Sequence, residues 1–286
     1  MSSIGLLHLP SFKLLTPSTV AEVVEMMRAH PEASILAGGT HTVAAMIEKK
    51  IKPSLLIDIS RVGALKRFEI GNETVVVGAL TTHTTLMEAF ADRSQAFKSF
   101  AQSYTSPAVA NIATVGGSLA LKTSTEDLIT VLLVHDAILR IYRAEGVVEA
   151  TLDRYLGDEP GRVLIEEVKF LNPATISATF EKIALGISYI PLISAAVRLD
   201  QNEKGGWICR IATSHRRGEI PGRIHEAESI IERAGPSDET ITRAAEAVMS
   251  TIDPASDLMA PSWYRKRVAS VLVKRHLLKL WSGVVG

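Results

Sequence analysis

Apolar positions change their spacing several times along the chain, and each change marks an element. Val20, Val23, Val24 and Met27 fall on one helical face, behind a Pro17-Ser18-Thr19 start with Thr19 and Glu22 at capping-box spacing. Residues 34–37 read as a short apolar strand, Gly38-Gly39-Thr40 as a turn, about 42–49 as a helix, and 55–59 (LLIDI) as a second buried strand. Strand, glycine turn, helix and strand form a βαβ unit. Residues 68–70 and 74–78 flank Gly71-Asn72 as a hairpin. A helix with Leu86, Met87 and Phe90 follows, and a further helix runs up to Tyr104.

Residues 126–135 (EDLITVLLVH) read as a helix, and 137–142 with 147–151 as paired strands. Further strands are expected at 163–170, 179–185, 192–199 and 207–213, the last two joined by a polar turn at 201–206. The chain then turns helical, at 223–233, 238–250 and 262 to about 281, where Val268, Val271, Leu272, Leu278 and Trp281 recur at core spacing. A Pro-containing link at 172–178 separates the two patterns and suggests a boundary there.

Composition narrows the functional classes. The 286 residues suffice for one large domain or two to three small ones. Lys+Arg and Asp+Glu both number 31, so the formal net charge is zero and bulk electrostatics points to no nucleic acid or anionic membrane. The single cysteine, Cys209, excludes an intrachain disulfide and any iron–sulfur cluster or Cys-rich zinc site held by this chain alone. The start MSSIGLLHLPSFKL is unlike a signal peptide, and no apolar run is long enough to span a bilayer, so a cytoplasmic protein without a membrane span is expected.

Two glycine loops carry the candidate chemistry. The turn AGGTHT lies between a strand and a helix N-terminus, where exposed amides favour phosphate, although a tight connection would use the same glycines. The stretch AVANIATVGGSLALKTSTED holds Thr114, Gly116, Gly117 and Ser118, a second possible nest of N–H donors, with Asp127 placed to take a sugar hydroxyl. Neither a GxGxxG fingerprint nor a GxxxxGK[ST] loop is present. His41 and His83 stand beside hydroxyl residues without metal-ligand spacing, so solvated or capping histidines are expected.

AGGTHT, LLIDI, VGALTTHTTL (77–86) and NIATVGGSLA (111–120) followed by EDL, in this order and spacing, resemble the FAD-binding subunit of the molybdenum hydroxylases, the xanthine, carbon monoxide and nicotinate dehydrogenase type. FEKIAL, EIPGRIHEAE and IDPASDLMAPSWYRKRVASVLVKR carry the likeness across nearly the whole chain. The resemblance implies an α+β fold: a two-subdomain FAD-binding domain of the vanillyl-alcohol-oxidase type at 1–175 (subdomains about 1–60 and 61–175). A C-terminal domain of a small antiparallel sheet and a three-helix bundle would occupy 176–286.

It further implies that Leu36, Ala37, Gly38, Gly39, Thr40, His41 and Thr42 cradle the FAD pyrophosphate. Thr114, Gly116, Gly117 and Ser118 would wrap the flavin–ribityl and phosphate side, and Asp127 would hydrogen-bond FAD. Tyr104, Leu164 and Lys182 would lie near the flavin, a Lys there favouring the anionic reduced form. Plainer roles are open to each: core for Tyr104 and Leu164, an exposed charge for Lys182, a helix-dipole partner for Asp127. The sequence departs from the family at Ala110 (commonly Arg), at Ser118 (usually Asn), over KTSTE (122–126), and after Lys182, where Leu185-Gly186-Ile187 replaces one or two Arg; Tyr189 lies close to where some relatives carry an aromatic.

By the same resemblance the chain is an electron-transfer subunit without an acid–base triad or metal of its own. Its partners would be an iron–sulfur subunit with [2Fe–2S] clusters and a subunit with a molybdopterin-type molybdenum cofactor, as a heterotrimer or a dimer of heterotrimers. NAD or a quinone would be the final acceptor. A scaffold that has lost FAD, and a stand-alone flavin oxidoreductase, are the alternatives.

Overall fold

Three sheets divide the strands, and one buried helix lies between two of them. The computed structural model describes residues 9–104, 106–143, 146–159, 161–184 and 191–285. The first sheet is parallel, in the order β1-β3-β2, from β1 (Lys13–Leu15), β2 (Ser34–Leu36) and β3 (Leu55–Asp58). Helix α1 (Val20–Ala29) joins β1 to β2, and α2 (Thr42–Ile47) joins β2 to β3. The expected βαβ unit is therefore present. The Thr19 hydroxyl accepts from the Glu22 N–H at 3.2 Å, while the Glu22 carboxylate reaches back chiefly to the Ser18 amide at 2.7 Å, one residue earlier than a strict capping box.

The second sheet is antiparallel, in the order β4-β5-β8-β6-β7. Its strands are β4 (Phe68–Ile70), β5 (Thr74–Gly78), β6 (Ile138–Arg143), β7 (Gly146–Thr151) and β8 (Leu164–Leu171). Both sequence-predicted pairs, β4 with β5 and β6 with β7, form ladders. Helices α3 (His83–Phe90), α4 (Gln95–Ser103), α5 (Pro107–Ala110), α6 (Val115–Leu121), α7 (Asp127–Val134) and α8 (Leu152–Gly157) complete this half of the chain, with α6 against β8 and α8 against β7. The third sheet is antiparallel, in the order β12-β11-β10-β9, from β9 (Ala178–Ala184), β10 (Pro191–Gln201), β11 (Trp207–Arg217) and β12 (Ile220–Arg223). It is backed by α9 (His225–Ala234), α10 (Asp238–Thr251) and α11 (Ser262–Val285).

Every residue of α7 is buried, as expected of a helix apolar on all sides. It lies between the second sheet and the third, so the C-terminal sheet covers the face that the second sheet leaves bare. Two shorter pieces escape the apolar pattern. β1 is largely exposed, and β12 carries Pro221 and Gly222, which depress strand propensity. Cys209 is buried in the C-terminal core, its thiol pKa pushed well up by burial. Among the described residues no helix is long and apolar enough to cross a membrane.

Candidate functional site

The βαβ unit builds the first wall of the site. After β2 the chain turns through Ala37–His41 into α2, with Gly39 at φ +73°, where a side chain would be strained. The Gly39 and His41 carbonyls open α2, accepting from the Val43 and Ala45 amides at 2.9 Å. Among the described residues the amides of Gly38, Gly39, Thr40 and His41 find no protein acceptor. Four such donors in a concave turn form a donor set for an anion.

The second wall is the loop 111–118, which meets the first at one point: a Cβ on Gly38 would lie 1.7 Å from the Ile112 carbonyl oxygen. Here the amides are already committed. Val115 donates to the Thr81 carbonyl at 2.9 Å, Gly116 to Ala79 at 2.8 Å, and Ser118 to Thr114 at 3.0 Å. The Gly117 amide donates to the Thr114 hydroxyl at 3.2 Å, which makes Thr114 the N-cap of α6. Gly116 is a packing glycine, since a Cβ there would lie 2.5 Å from the Ala79 Cβ. The two loops thus do different things: the first offers amides, and the second offers closely packed backbone and hydroxyls.

Between the walls lies a cavity of about 190 Å³, lined by Ala37–Thr42, Thr114, Gly116–Ser118, Leu164 and Glu126. A second cavity of about 140 Å³ is lined by His83, Tyr104, Glu126, Asp127 and Lys182. Glu126 borders both. Of the sequence-predicted residues, eleven therefore line the larger cavity and Tyr104, Asp127 and Lys182 the smaller, whereas Leu36 ends β2 and lines neither. Leu164 is also core, 2% exposed in the N-terminal cluster.

Asp127 and Lys182 form an ion pair of 2.7 Å, and both are nearly buried; the Lys182 ammonium also donates to the Ser103 carbonyl at 3.3 Å. Lys182 is therefore not an exposed strand charge. The second Asp127 oxygen, Oδ1, is buried without a hydrogen bond of normal geometry, the nearby Ser194 hydroxyl only pulling the Asp127 pKa slightly down. A buried carboxylate oxygen lacking a donor is costly, and a ligand hydroxyl would satisfy it. Unpartnered amides on one side and an orphaned carboxylate oxygen on the other fit a dinucleotide with both phosphates and sugar hydroxyls.

Burial pushes the Asp127 pKa up to about 6, against the pull of Lys182. The folded chain therefore keeps this proton after an unfolded aspartate, at 3.8, has lost it. The sign follows: this group's contribution is most favourable below the unfolded value and declines as pH rises towards the folded one. Asp127→Asn, which mimics the protonated acid, is expected to gain on the wild type across that window in denaturant titrations of the FAD-free chain. A stability difference that stays flat there would mean that Asp127 is ionised throughout.

His41 is exposed at the N-cap of α2, with no side-chain capping bond. His83 departs from the solvated or capping role expected of it, being only 1% exposed. Its Nδ1 lies 2.8 Å from the Tyr104 hydroxyl and its Nε2 2.9 Å from the Ser118 hydroxyl. Burial drives its pKa down to about 4, so the ring is neutral. The sequence does hold a signal for this: His83, Leu86 and Phe90 share a helical face, and all three are buried. Glu126 is the other residue passed over; it is half-buried at the N-cap of α7, a helix with no polar face.

Of the departures from the family, Ala110 is buried in α5. Lys122 turns away from the site, donating to the Tyr155 carbonyl at 2.6 Å with its ammonium 4.0 Å from the Tyr155 ring centre. Leu185-Gly186-Ile187 and Tyr189 lie outside the described residues.

Residues 10–172 match the family described as the FAD binding domain in molybdopterin dehydrogenase, and residues 178–280 the CO dehydrogenase flavoprotein C-terminal domain. The chain is 27% identical to the 6-hydroxypseudooxynicotine dehydrogenase complex subunit alpha of Paenarthrobacter nicotinovorans, over 94% of each chain. It is 26% identical to the carbon monoxide dehydrogenase medium chain of Hydrogenophaga pseudoflava, over 96% of this chain and 98% of that one. A solved structure of carbon monoxide dehydrogenase from Hydrogenophaga pseudoflava superposes with a TM-score of 0.86 at 23% identity, covering 96% of this chain and 99% of the other. Quinoline 2-oxidoreductase from Pseudomonas putida 86 superposes with a TM-score of 0.83 at 22% identity, over 96% and 99%. These structures share the fold.

Proposed function

We propose that this chain, which belongs to the FAD-binding family of the molybdopterin dehydrogenases, holds FAD across its two cavities and hands electrons from iron–sulfur clusters on a partner subunit to an external acceptor such as NAD or a quinone. The observation that carries this reading is the pairing of two unmet needs. The amides of Gly38–His41 lack an acceptor, and across the Glu126 partition Asp127 Oδ1 lacks a donor. A phosphate and a sugar hydroxyl of one ligand answer both.

Each residue has a task in this reading. The 38–41 amides and the Thr114 hydroxyl would hold the pyrophosphate, and Asp127 would accept from a hydroxyl of the same molecule. Lys182, fixed by Asp127 and the Ser103 carbonyl, would place a positive charge at the smaller cavity, where it favours anionic forms of what binds there. Bound FAD supplies a carrier that takes electrons singly and releases them in pairs. The chain is an oxidoreductase subunit rather than a complete enzyme, and the molybdenum-cofactor and iron–sulfur subunits are its proposed partners, with the boundary between its own two domains proposed at 172–178.

The test is direct. Full-length chain purified with FAD is expected to be yellow and to release fluorescent flavin on denaturation. Gly117→Leu should abolish this, because its side chain would start 2.8 Å from the Thr114 hydroxyl and project from a cavity-lining position. A wild-type chain that stays colourless with FAD present would overturn the reading in favour of a flavin-free scaffold.

A further inference from the structure

Four polar side chains run through the partition between the cavities. The Tyr104 hydroxyl meets His83 Nδ1 at 2.8 Å, and His83 Nε2 meets the Ser118 hydroxyl at 2.9 Å. Ser118 and Glu126 line the larger cavity together, where the Ser118 hydroxyl pulls the Glu126 pKa down as a donor would. His83 and Ser118 are 1% and 5% exposed, so bulk water does not compete for the inner links. Tyr104 borders the smaller cavity, Ser118 the larger, and Glu126 both.

A neutral imidazole has one donor nitrogen and one acceptor, and each hydroxyl can do either. With Glu126 ionised, every donor in the run points one way: Tyr104 O–H to Nδ1, Nε2–H to the Ser118 oxygen, and Ser118 O–H to the carboxylate. With Glu126 protonated, the run reverses: the carboxyl donates to Ser118, Ser118 to Nε2, and Nδ1–H to the Tyr104 oxygen. Tyr104 then aims its own hydrogen into the smaller cavity. Both arrangements keep the ring neutral.

We propose that this run is a proton wire, in which Glu126 stores a proton that reaches the smaller cavity through Ser118, His83 and Tyr104. The proposal rests on FAD binding as set out above, the flavin ring being the acceptor when it gains electrons. The step balances. The Tyr104 hydrogen passes to the acceptor, Nδ1–H to Tyr104, the Ser118 hydrogen to Nε2, and the Glu126 proton to Ser118. Glu126 ends one proton poorer, the acceptor one richer, and His83 has changed tautomer.

The surroundings agree. Burial pushes the Glu126 pKa up, so the store can fill, with Ser118 and His41 pulling the other way. Burial, with Glu126 and Asp127 adding, pushes the Tyr104 pKa up and keeps its hydroxyl intact. Phe100 packs against the His83 ring with ring centres 5.8 Å apart, and the Thr114 carbonyl beside the ring is a further acceptor, a bias towards one tautomer that the Glu126 proton has to overcome. Lys182 lines the smaller cavity with Tyr104 and His83, its ammonium paired with Asp127 and donating to the Ser103 carbonyl. Ser118 carries the specificity of the idea. A hydroxyl can take one proton as it gives another, whereas a side-chain amide in its place could not.

The test is nitrogen NMR of ring-labelled histidine in the full-length chain without FAD, beside carbon NMR of the Glu126 carboxyl. As pH falls, His83 is expected to pass from the Nε2–H to the Nδ1–H tautomer without forming imidazolium, at the midpoint where Glu126 takes its proton. Ser118→Ala should hold one tautomer while Glu126 still titrates, and Ser118→Thr should restore the switch. Glu126→Gln should make the tautomer independent of pH, which serves if Ser118→Ala fails to fold. A single tautomer throughout the wild-type titration of Glu126, or a switch that survives in Ser118→Ala, overturns the proposal. In FAD-loaded chain, photoreduction should remove the carboxylic-acid infrared band of Glu126 in wild type and leave it in Ser118→Ala; a band unchanged in wild type also overturns the wire. Failure to take up FAD would defeat the proposed function yet leave the FAD-free titration to decide the tautomer switch.

Discussion

Alanine at position 38 is expected to cost the chain most of its FAD affinity and part of its stability. The added methyl would sit 1.7 Å from the Ile112 carbonyl oxygen and 2.8 Å from its carbon. These are backbone atoms, so no rotamer change can clear them. The loop cannot easily slide away, because the Ile112 and Ala113 amides are held by the Val109 carbonyl at 3.1 and 2.7 Å. The two loops must therefore part by more than an ångström. Overpacking of this kind costs about 1–3 kcal/mol. The parting also displaces the four amides of the first loop, and charge-assisted hydrogen bonds contribute roughly 1.5–3 kcal/mol each. Loss of two of them weakens binding by ~100-fold or more. Flavin fluorescence titration and a thermal melt measure the two effects. Gly63→Ala is the control: nothing lies within 4 Å of its Cβ, and both readings should stay at wild type. Unchanged affinity in Gly38→Ala would mean that the contact between the loops does not shape the site.

That contact marks where sequence reasoning reaches and where it stops. Periodicity and turn chemistry are local, so the βαβ unit, both hairpin ladders and the helical tail were legible in the order of residues. The same logic located both glycine loops. It could not say that Gly38 touches Ile112, about seventy residues away, or that the Gly116 and Gly117 amides are already used, because those facts depend on which strands neighbour one another. A glycine needed for close packing and a glycine needed for an anion look alike in one dimension. Charged and polar residues misled in the opposite direction. His83 in a run of threonines reads as surface, although its spacing to Leu86 and Phe90 places it inside. Lys182 on a strand reads as solvated until its partner, Asp127, arrives from a helix of the other domain.

Asp136 is the clearest instance, and its loss is expected to be the most damaging single change to the join between the two halves. It follows α7 with a φ of 49°, a backbone state that Asp and Asn tolerate better than most residues. From sequence it is a polar residue ending an apolar helix. In the fold its carboxylate takes Arg198 at 2.9 Å, Arg210 at 2.8 Å and Arg223 at 3.2 Å. These three arginines stand on β10, β11 and β12, and β9 supplies Lys182 to Asp127 at the other end of α7. Each strand of the C-terminal sheet thus sends one cation to an acid at one end of the same buried helix. Asp136→Asn keeps the shape and the tolerated backbone but removes the charge. Breaking a buried pair costs about 3–5 kcal/mol. Here the figure is reduced, because Asp136 is 30% exposed and Arg198, Arg210 and Arg223 keep Asp200, Glu232 and Glu228 as second partners. A loss of about 2 kcal/mol in denaturant unfolding is expected, against a smaller loss when Arg67→Ala removes the exposed Arg67 guanidinium from Glu69 and Glu167. Because α7 is one rigid piece, loosening it at Asp136 should also disturb Asp127, and FAD should bind several-fold more weakly to Asp136→Asn although position 136 lines neither cavity. Equal stability of the two variants would remove the arginine cluster as the fastening, and lost stability with unchanged FAD affinity would confine its role to holding the domains together.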